Sequence, residues 1–186
     1  RISAHTSDYT GFAPVYDSPE EYKKVQVLGR RSGYLSSLKY SREEVEAAAE
    51  IFNGKAYLGD AATQQQFRNA ISSRILHFAG HTVINDSIPE LSGMFFAGQE
   101  GMYGKDEVLY LDEMFNLNMN IRLAILSGCE TGVGRLLKGE GLGSIGRAFK
   151  YAGCKDLVMT LWKINDRSAS LLIRKFCVNL RLGLPA

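Results

Sequence analysis

The chain has 186 residues, 45% of them hydrophobic and 23% charged, with a formal net charge of +2, which fits one domain with a full core. A charge so near balance, with Lys and Arg interleaved among acids, argues against nucleic acid as a partner. No apolar run approaches the roughly 18 residues of a membrane span, and no signal-peptide pattern opens the sequence.

The sequence starts at Arg1 without Met and stops at Pro185-Ala186 directly after a helical pattern. It reads as a single domain over 1–186, cut from a longer polypeptide, with residues 1–8 polar and frayed. Three cysteines, Cys129, Cys154 and Cys177, lack CxxC spacing and nearby His pairs, so neither zinc nor another metal is expected. An odd count without a secretory signal predicts free thiols in a reducing compartment, cytoplasmic by default.

Gly11-Phe-Ala-Pro-Val-Tyr16 reads as a first strand, with Pro14 marking an edge or a strand end. Residues 17–40 carry mixed charge and scattered Gly and Ser and read as a loop. Ser41-Arg-Glu-Glu44 has the form of a capping box ahead of Val45, Ala48, Ala49 and Phe52 at helical spacing, and Asn53-Gly54 closes that helix. Ala56–Leu58 is a brief strand, Thr63 opens a short helix carrying Phe67 and Ala70, and residues 74–79 are a strand. Residues 82–107 are loop-rich, with a hairpin pairing Met94–Ala97 with Val108–Tyr110, and Leu111–Asn116 form a short helix.

Residues 121–127 are a second fully apolar strand. A glycine-rich segment, 132–141, precedes a helix over Leu142–Ala152 that ends at Gly153. Asp156–Trp162 is another apolar strand. Asp166 is placed as the cap of a last helix whose apolar face runs Leu171, Leu172, Phe176 and Leu180. Strands alternate with helices, and the central strands lack period-2 alternation. The pattern predicts an α/β fold, a mostly parallel sheet with helices on both faces.

Two strand exits carry the chemistry. Arg74-Ile-Leu-His-Phe-Ala-Gly-His81 ends on an imidazole, and Ile121-Arg-Leu-Ala-Ile-Leu-Ser-Gly-Cys129-Glu-Thr-Gly132 on a thiol. In an open α/β sheet, ligands bind outside the carboxyl ends of the strands. If these strands are neighbours, His81 and Cys129 meet at one edge, where an imidazole takes or shares the proton of the attacking thiol. The backbone N–H groups of Cys129 and Thr82 are candidates for an oxyanion hole, each such donor worth about 3–4 kcal/mol. Gly80, Gly128 and Gly132 suit close approach by a substrate backbone. His81 precedes Cys129 by 48 positions, the order and gap of the caspase arrangement.

The blander reading makes Cys129 a small buried hydrophobe and His81 a loop histidine. His77, within a strand, reads as core, and Cys154 and Cys177 as structural. The glycine-rich 132–143 segment lacks the Gly-Lys-Ser/Thr of a phosphate loop, which leaves a nucleotide-binding regulator without a site. It reads instead as a loop bordering the active site.

The paired motifs His77-Phe-Ala-Gly-His81 and Leu126-Ser-Gly-Cys-Glu-Thr-Gly132 resemble those of the CHAT family, caspase-like bacterial domains often found after tetratricopeptide repeats. The resemblance continues in Lys138-Gly-Glu-Gly141, Arg147–Gly153, Thr160-Leu-Trp-Lys-Ile-Asn-Asp166, Phe12–Tyr16 and Tyr40–Val45. It implies a caspase-like fold, with His81 the catalytic histidine and Cys129 the nucleophile of a cysteine endopeptidase that needs no cofactor. Two positions depart from the pattern: Thr82 stands where Gly is usual, and Gly128 where Ala is usual.

By the same resemblance, the pocket for the residue before the scissile bond falls at Asp17, Ser127 and Asp166. Two carboxylates and no Arg there favour a basic side chain. The resemblance further implies a protein substrate, control by a sensor, partner or repeat region, and a role in bacterial defence or regulated cell death. The alternative is a catalytically inactive caspase-like scaffold that binds a protein partner through the same groove.

Overall fold

The computed structural model describes residues 5–14, 23–25, 33–35, 38–83, 88–97, 108–127, 141–160 and 165–184. In chain order the elements are β1 (Ser7–Ala13), β2 (Lys23–Val25), β3 (Gly33–Leu35), α1 (Ser41–Phe52), β4 (Lys55–Leu58), α2 (Gln64–Asn69), β5 (Ser73–Ala79) and β6 (Thr82–Val83). There follow β7 (Gly93–Phe95), β8 (Val108–Tyr110), α3 (Leu111–Phe115), β9 (Leu123–Ser127), α4 (Gly141–Ala152), β10 (Asp156–Met159) and α5 (Asp166–Arg181).

The main sheet has five strands in the order β10-β9-β5-β1-β4, every neighbouring pair parallel. Its carboxyl ends therefore share one edge. Side-chain alternation sorts β5 and β9 between two cores, which is why neither strand shows polar positions at period 2 in its buried part. Leu76, Phe78, Ala124 and Leu126 pack under α2, α3 and α4 with Phe12, Phe67, Phe96 and Phe149. Ile75, Leu123 and Ile125 face α1 and α5, against Ala48, Ile173 and Cys177. The aromatic contacts in the first core are close, with ring centroids 5.1 Å apart for both Phe67–Phe96 and Phe78–Phe96. Beyond β5, the chain enters a small antiparallel sheet, β6-β7-β8. An α/β fold with a parallel sheet covered on both faces is what the alternation of elements predicts, and it agrees with the caspase-like class that the resemblance implies. No helix among the described residues is long and apolar enough to cross a membrane.

Several local expectations need correction. β1 starts at Ser7, inside the segment expected to fray, and it lies between β5 and β4 rather than at an edge. Its early residues look like tail because they are polar, but Ser7, Thr10 and Ser73 satisfy one another's hydroxyls at 2.8–2.9 Å. Pro14 does end the strand. The 17–40 segment, expected to be a loop, contains the antiparallel pair β2–β3.

The capping box at Ser41 is not formed. Tyr40 is the N-cap of α1, without a side-chain cap bond, and Ser41 Oγ donates to Leu38 O. Glu44 turns inward instead, to His77, because a buried charge-assisted bond outweighs a local one at a solvated helix end. At α5 the cap is Asn165, whose side chain accepts from Ser168 N–H, one residue before the expected Asp166.

The buried face of α5 is Ala169, Ile173 and Cys177, with Phe176 and Leu180 at its margin. Leu171 and Leu172, expected on that face, are 61% and 62% exposed. Small residues at 169 and 177 let the helix lie close to the sheet, so the largest apolar side chains are not the deepest. β10 ends at Met159; residues 161 and 162, expected within it, lie outside the described residues.

Candidate functional site

The expected chemistry gathers where β5 and β9 end. These strands pair in register through Phe78↔Leu126 and Ala79↔Ser127, and Gly80 N–H donates to Ser127 O at 3.2 Å. His81 follows directly and is buried. Ser127, the last residue of β9 and the register partner of Ala79, is buried as well. Cys129 and Asp17 lie outside the described residues.

Gly80 performs a packing task. A Cβ on it would come within 2.6 Å of Phe78 Cζ and 3.0 Å of Pro14 Cγ. The packing of Phe78 and Pro14 around Gly80 is thus enough to require a residue without a Cβ there. Gly128 and Gly132 lie outside the described residues.

Thr82 begins β6, opposite Met94 of β7. Phe95 N–H donates to His81 O at 3.0 Å, so His81 and Phe95 form the hydrogen-bonded pair and Thr82–Met94 the non-bonded one. In that alternation the Thr82 N–H points away from β7. The Thr82 side chain is buried, and its Oγ1 has no hydrogen-bond partner among the described residues.

Asp166 sits in the first turn of α5, half-buried. Its Oδ2 accepts the backbone N–H of Tyr40, the N-cap of α1, at 2.9 Å. α5 follows β10, so the strands that precede the expected site residues, β1 for Asp17, β5 for His81, β9 for Ser127 and β10 for Asp166, are four consecutive neighbours in the sheet. The CHAT domain family model matches residues 16–186. The chain belongs to the CHAT domain family. This CHAT domain accordingly has the caspase-like, peptidase-related fold. Comparison with curated proteins returns no match.

A second polar group, missed in the sequence, lies under the site. His77 of β5 is fully buried; its Nε2 is 2.8 Å from Glu44 Oε1 of α1, and its Nδ1 is 2.8 Å from Tyr9 OH of β1. Tyr9 OH also reaches Val45 O at 3.4 Å. Cys177 of α5 borders this group. Burial first, and then the Glu44 charge, push its thiol from 9.0 up to about 12. Burial likewise raises Tyr9 well above the ordinary phenol range, with the nearby Cys177 and Glu44 adding to the shift. The only sequence signal for this group was a histidine in a strand, and nothing in the sequence named its partners. Among the described residues no three His, Cys, Asp or Glu side chains come together as metal ligands do.

Proposed function

We propose that this CHAT domain is a cysteine endopeptidase acting through Cys129 and His81. The observation that carries the reading is the in-register pairing of Ala79 with Ser127 at the carboxyl ends of adjacent parallel strands. His81 and Cys129 each follow by two residues, and two residues span at most about 7 Å of chain. A chain step that short from two paired positions is compatible with the juxtaposition a thiol–imidazole dyad requires.

In this reading the Cys129 thiolate attacks the scissile carbonyl, and the N–H groups of Thr82 and Cys129 hold the oxyanion. Direction of the Thr82 N–H away from β7 supports the first of these donors. His81 protonates the leaving amine, and water then hydrolyses the acyl-enzyme. Ser127, Asp17 and Asp166 border the pocket for the preceding side chain, where two carboxylates favour a basic residue. The substrate is a protein, and a sensor, repeat region or other regulatory partner controls cleavage in the cytoplasm, in bacterial defence or regulated cell death. That setting is argued from family analogy.

The test is cleavage of a diverse peptide library by the full-length protein beside Cys129→Ala, with and without candidate activators. Cuts that disappear in the variant, with Lys or Arg before the scissile bond, are expected. No cuts under any condition, together with a Cys129 whose alkylation ignores His81→Ala, would favour a partner-binding scaffold instead.

A further inference from the structure

Helix α1 touches the site at two points. At its start, Tyr40 N–H holds Asp166 Oδ2 of α5 at 2.9 Å. One turn on, Glu44 holds His77 of β5 at 2.8 Å, four residues before His81 on the same run of chain. Next to Glu44, Val45 of α1 packs with Ala13 and Ala79, the last residues of β1 and β5. We propose that α1 positions the catalytic edge, with Glu44, His77 and Tyr9 as the polar lock that sets β5, and with it His81, against α5. The proposal rests on the peptidase reading above.

The lock is built to hold whichever way its protons sit. A carboxylate only accepts, so His77 Nε2–H donates to Glu44. With neutral His77, Nδ1 accepts the Tyr9 O–H. With doubly protonated His77, Nδ1–H donates to the Tyr9 oxygen, and the phenol proton turns toward Val45 O, 3.4 Å away. The charged and titratable neighbours are Glu44 from α1, Tyr9 from β1 and Cys177 from α5. Neither state leaves His77 unpaired, so the tie between α1 and β5 survives a change of proton count. A group that only filled space would need neither the carboxylate nor the phenol.

The His81 imidazole resonance is assigned in the full-length protein as the one lost on His81→Ala. Glu44→Ala, compared at equal foldedness by circular dichroism, is expected to displace the His81 ring titration. It should also slow Cys129 alkylation by iodoacetamide and lower kcat by about 10- to 100-fold, KM staying near wild type, as sub-ångström misplacement of a reacting group does. Glu44→Gln keeps an acceptor for Nε2–H and should restore all three readouts. Folded Glu44→Ala with wild-type titration, alkylation and kcat would overturn the proposal. So would Glu44→Gln as impaired as Ala, which would assign the effect to charge rather than position. Should Glu44→Ala fail to fold, Tyr9→Phe, which keeps the ring stack on Phe52, is read in the same assays. A smaller loss in the same direction supports the lock, and no change overturns it. If the wild type cleaves nothing, the peptidase reading falls by itself, while the His81 titration in Glu44→Ala still decides whether α1 positions His81.

Discussion

Removing the carboxylate of Glu44 tests how much of the fold's stability depends on a polar group set inside an apolar layer. Glu44 and His77 have side-chain exposures of 2% and 0%, and their contact is 2.8 Å. In Glu44→Ala the Nε2–H of His77 loses its acceptor in a place with little room for water. Breaking a buried pair on one side costs about 3–5 kcal/mol. For a domain this size each kcal/mol corresponds to about 2–4 °C, so the melting temperature is expected to fall by roughly 6–20 °C. Guanidinium unfolding of wild type and variant at neutral pH, followed by circular dichroism, measures the loss. The control is a packed apolar version, Glu44→Met with His77→Leu and Tyr9→Phe, which should recover most of it, because exchanging a whole buried polar group for hydrocarbon is often close to neutral. A loss below about 1 kcal/mol for Glu44→Ala, smaller than one ordinary hydrogen bond to a charged group, would refute this account.

Three further outcomes follow from geometry elsewhere. Gly153 has φ of +116°, and an added Cβ would lie 2.2 Å from the Met119 carbonyl oxygen. Gly153→Ala should therefore cost at least about 3 kcal/mol in chemical unfolding, strain and clash together. On α5, Ile173→Ala should cost about 2–4 kcal/mol as a buried truncation, whereas the exposed Leu171→Gln and Leu172→Gln should stay within about 0.5 kcal/mol; equal costs would restore the apolar face expected from the sequence. Cys177 has its folded pKa raised from 9.0 to about 12. The unfolded chain thus releases this proton first, so its stabilising contribution is complete below pH 9 and is lost as the pH rises toward 12. Unfolding free energies measured along that alkaline window should fall with pH, and Cys177→Ala should flatten the slope.

The sheet was legible because its physics is local. The run 123–127 is buried at every position, and β5 is exposed only at Arg74. Unbroken apolar runs of strand length between helical segments leave little but a parallel sheet with both faces covered. Thr63 as the cap of α2, Asn53 in the left-handed conformation after α1 and Gly153 after α4 were legible for the same reason, each satisfying a requirement set within a few residues. What misled was competition from far along the chain. Glu44 matched a capping box, yet its partner is 33 residues away, and the N-cap N–H of α1 is taken by Asp166, 126 residues away. The polar opening of β1 looked unfit for a strand until Ser73 joined it from 66 residues on.

The candidate site divides along the same line. That His81 follows one buried strand and Cys129 another is visible in sequence. That the two strands are neighbours, and paired at Ala79↔Ser127, is a fact of topology that spacing alone does not contain. The same topology gathers the carboxyl ends of β1, β5, β9 and β10 at one edge, because these strands are consecutive in the sheet and all parallel. His77 shows the converse. Two histidines four residues apart leave the same strand run, and alternation alone would put both on the side of α1. His77 meets a carboxylate and a phenol within the layer, whereas His81 lies past Gly80, where the chain leaves the sheet for β6. Strand continuity therefore makes the lower imidazole a structural tie, and under the proposed function the geometry of the first sets where the second can stand.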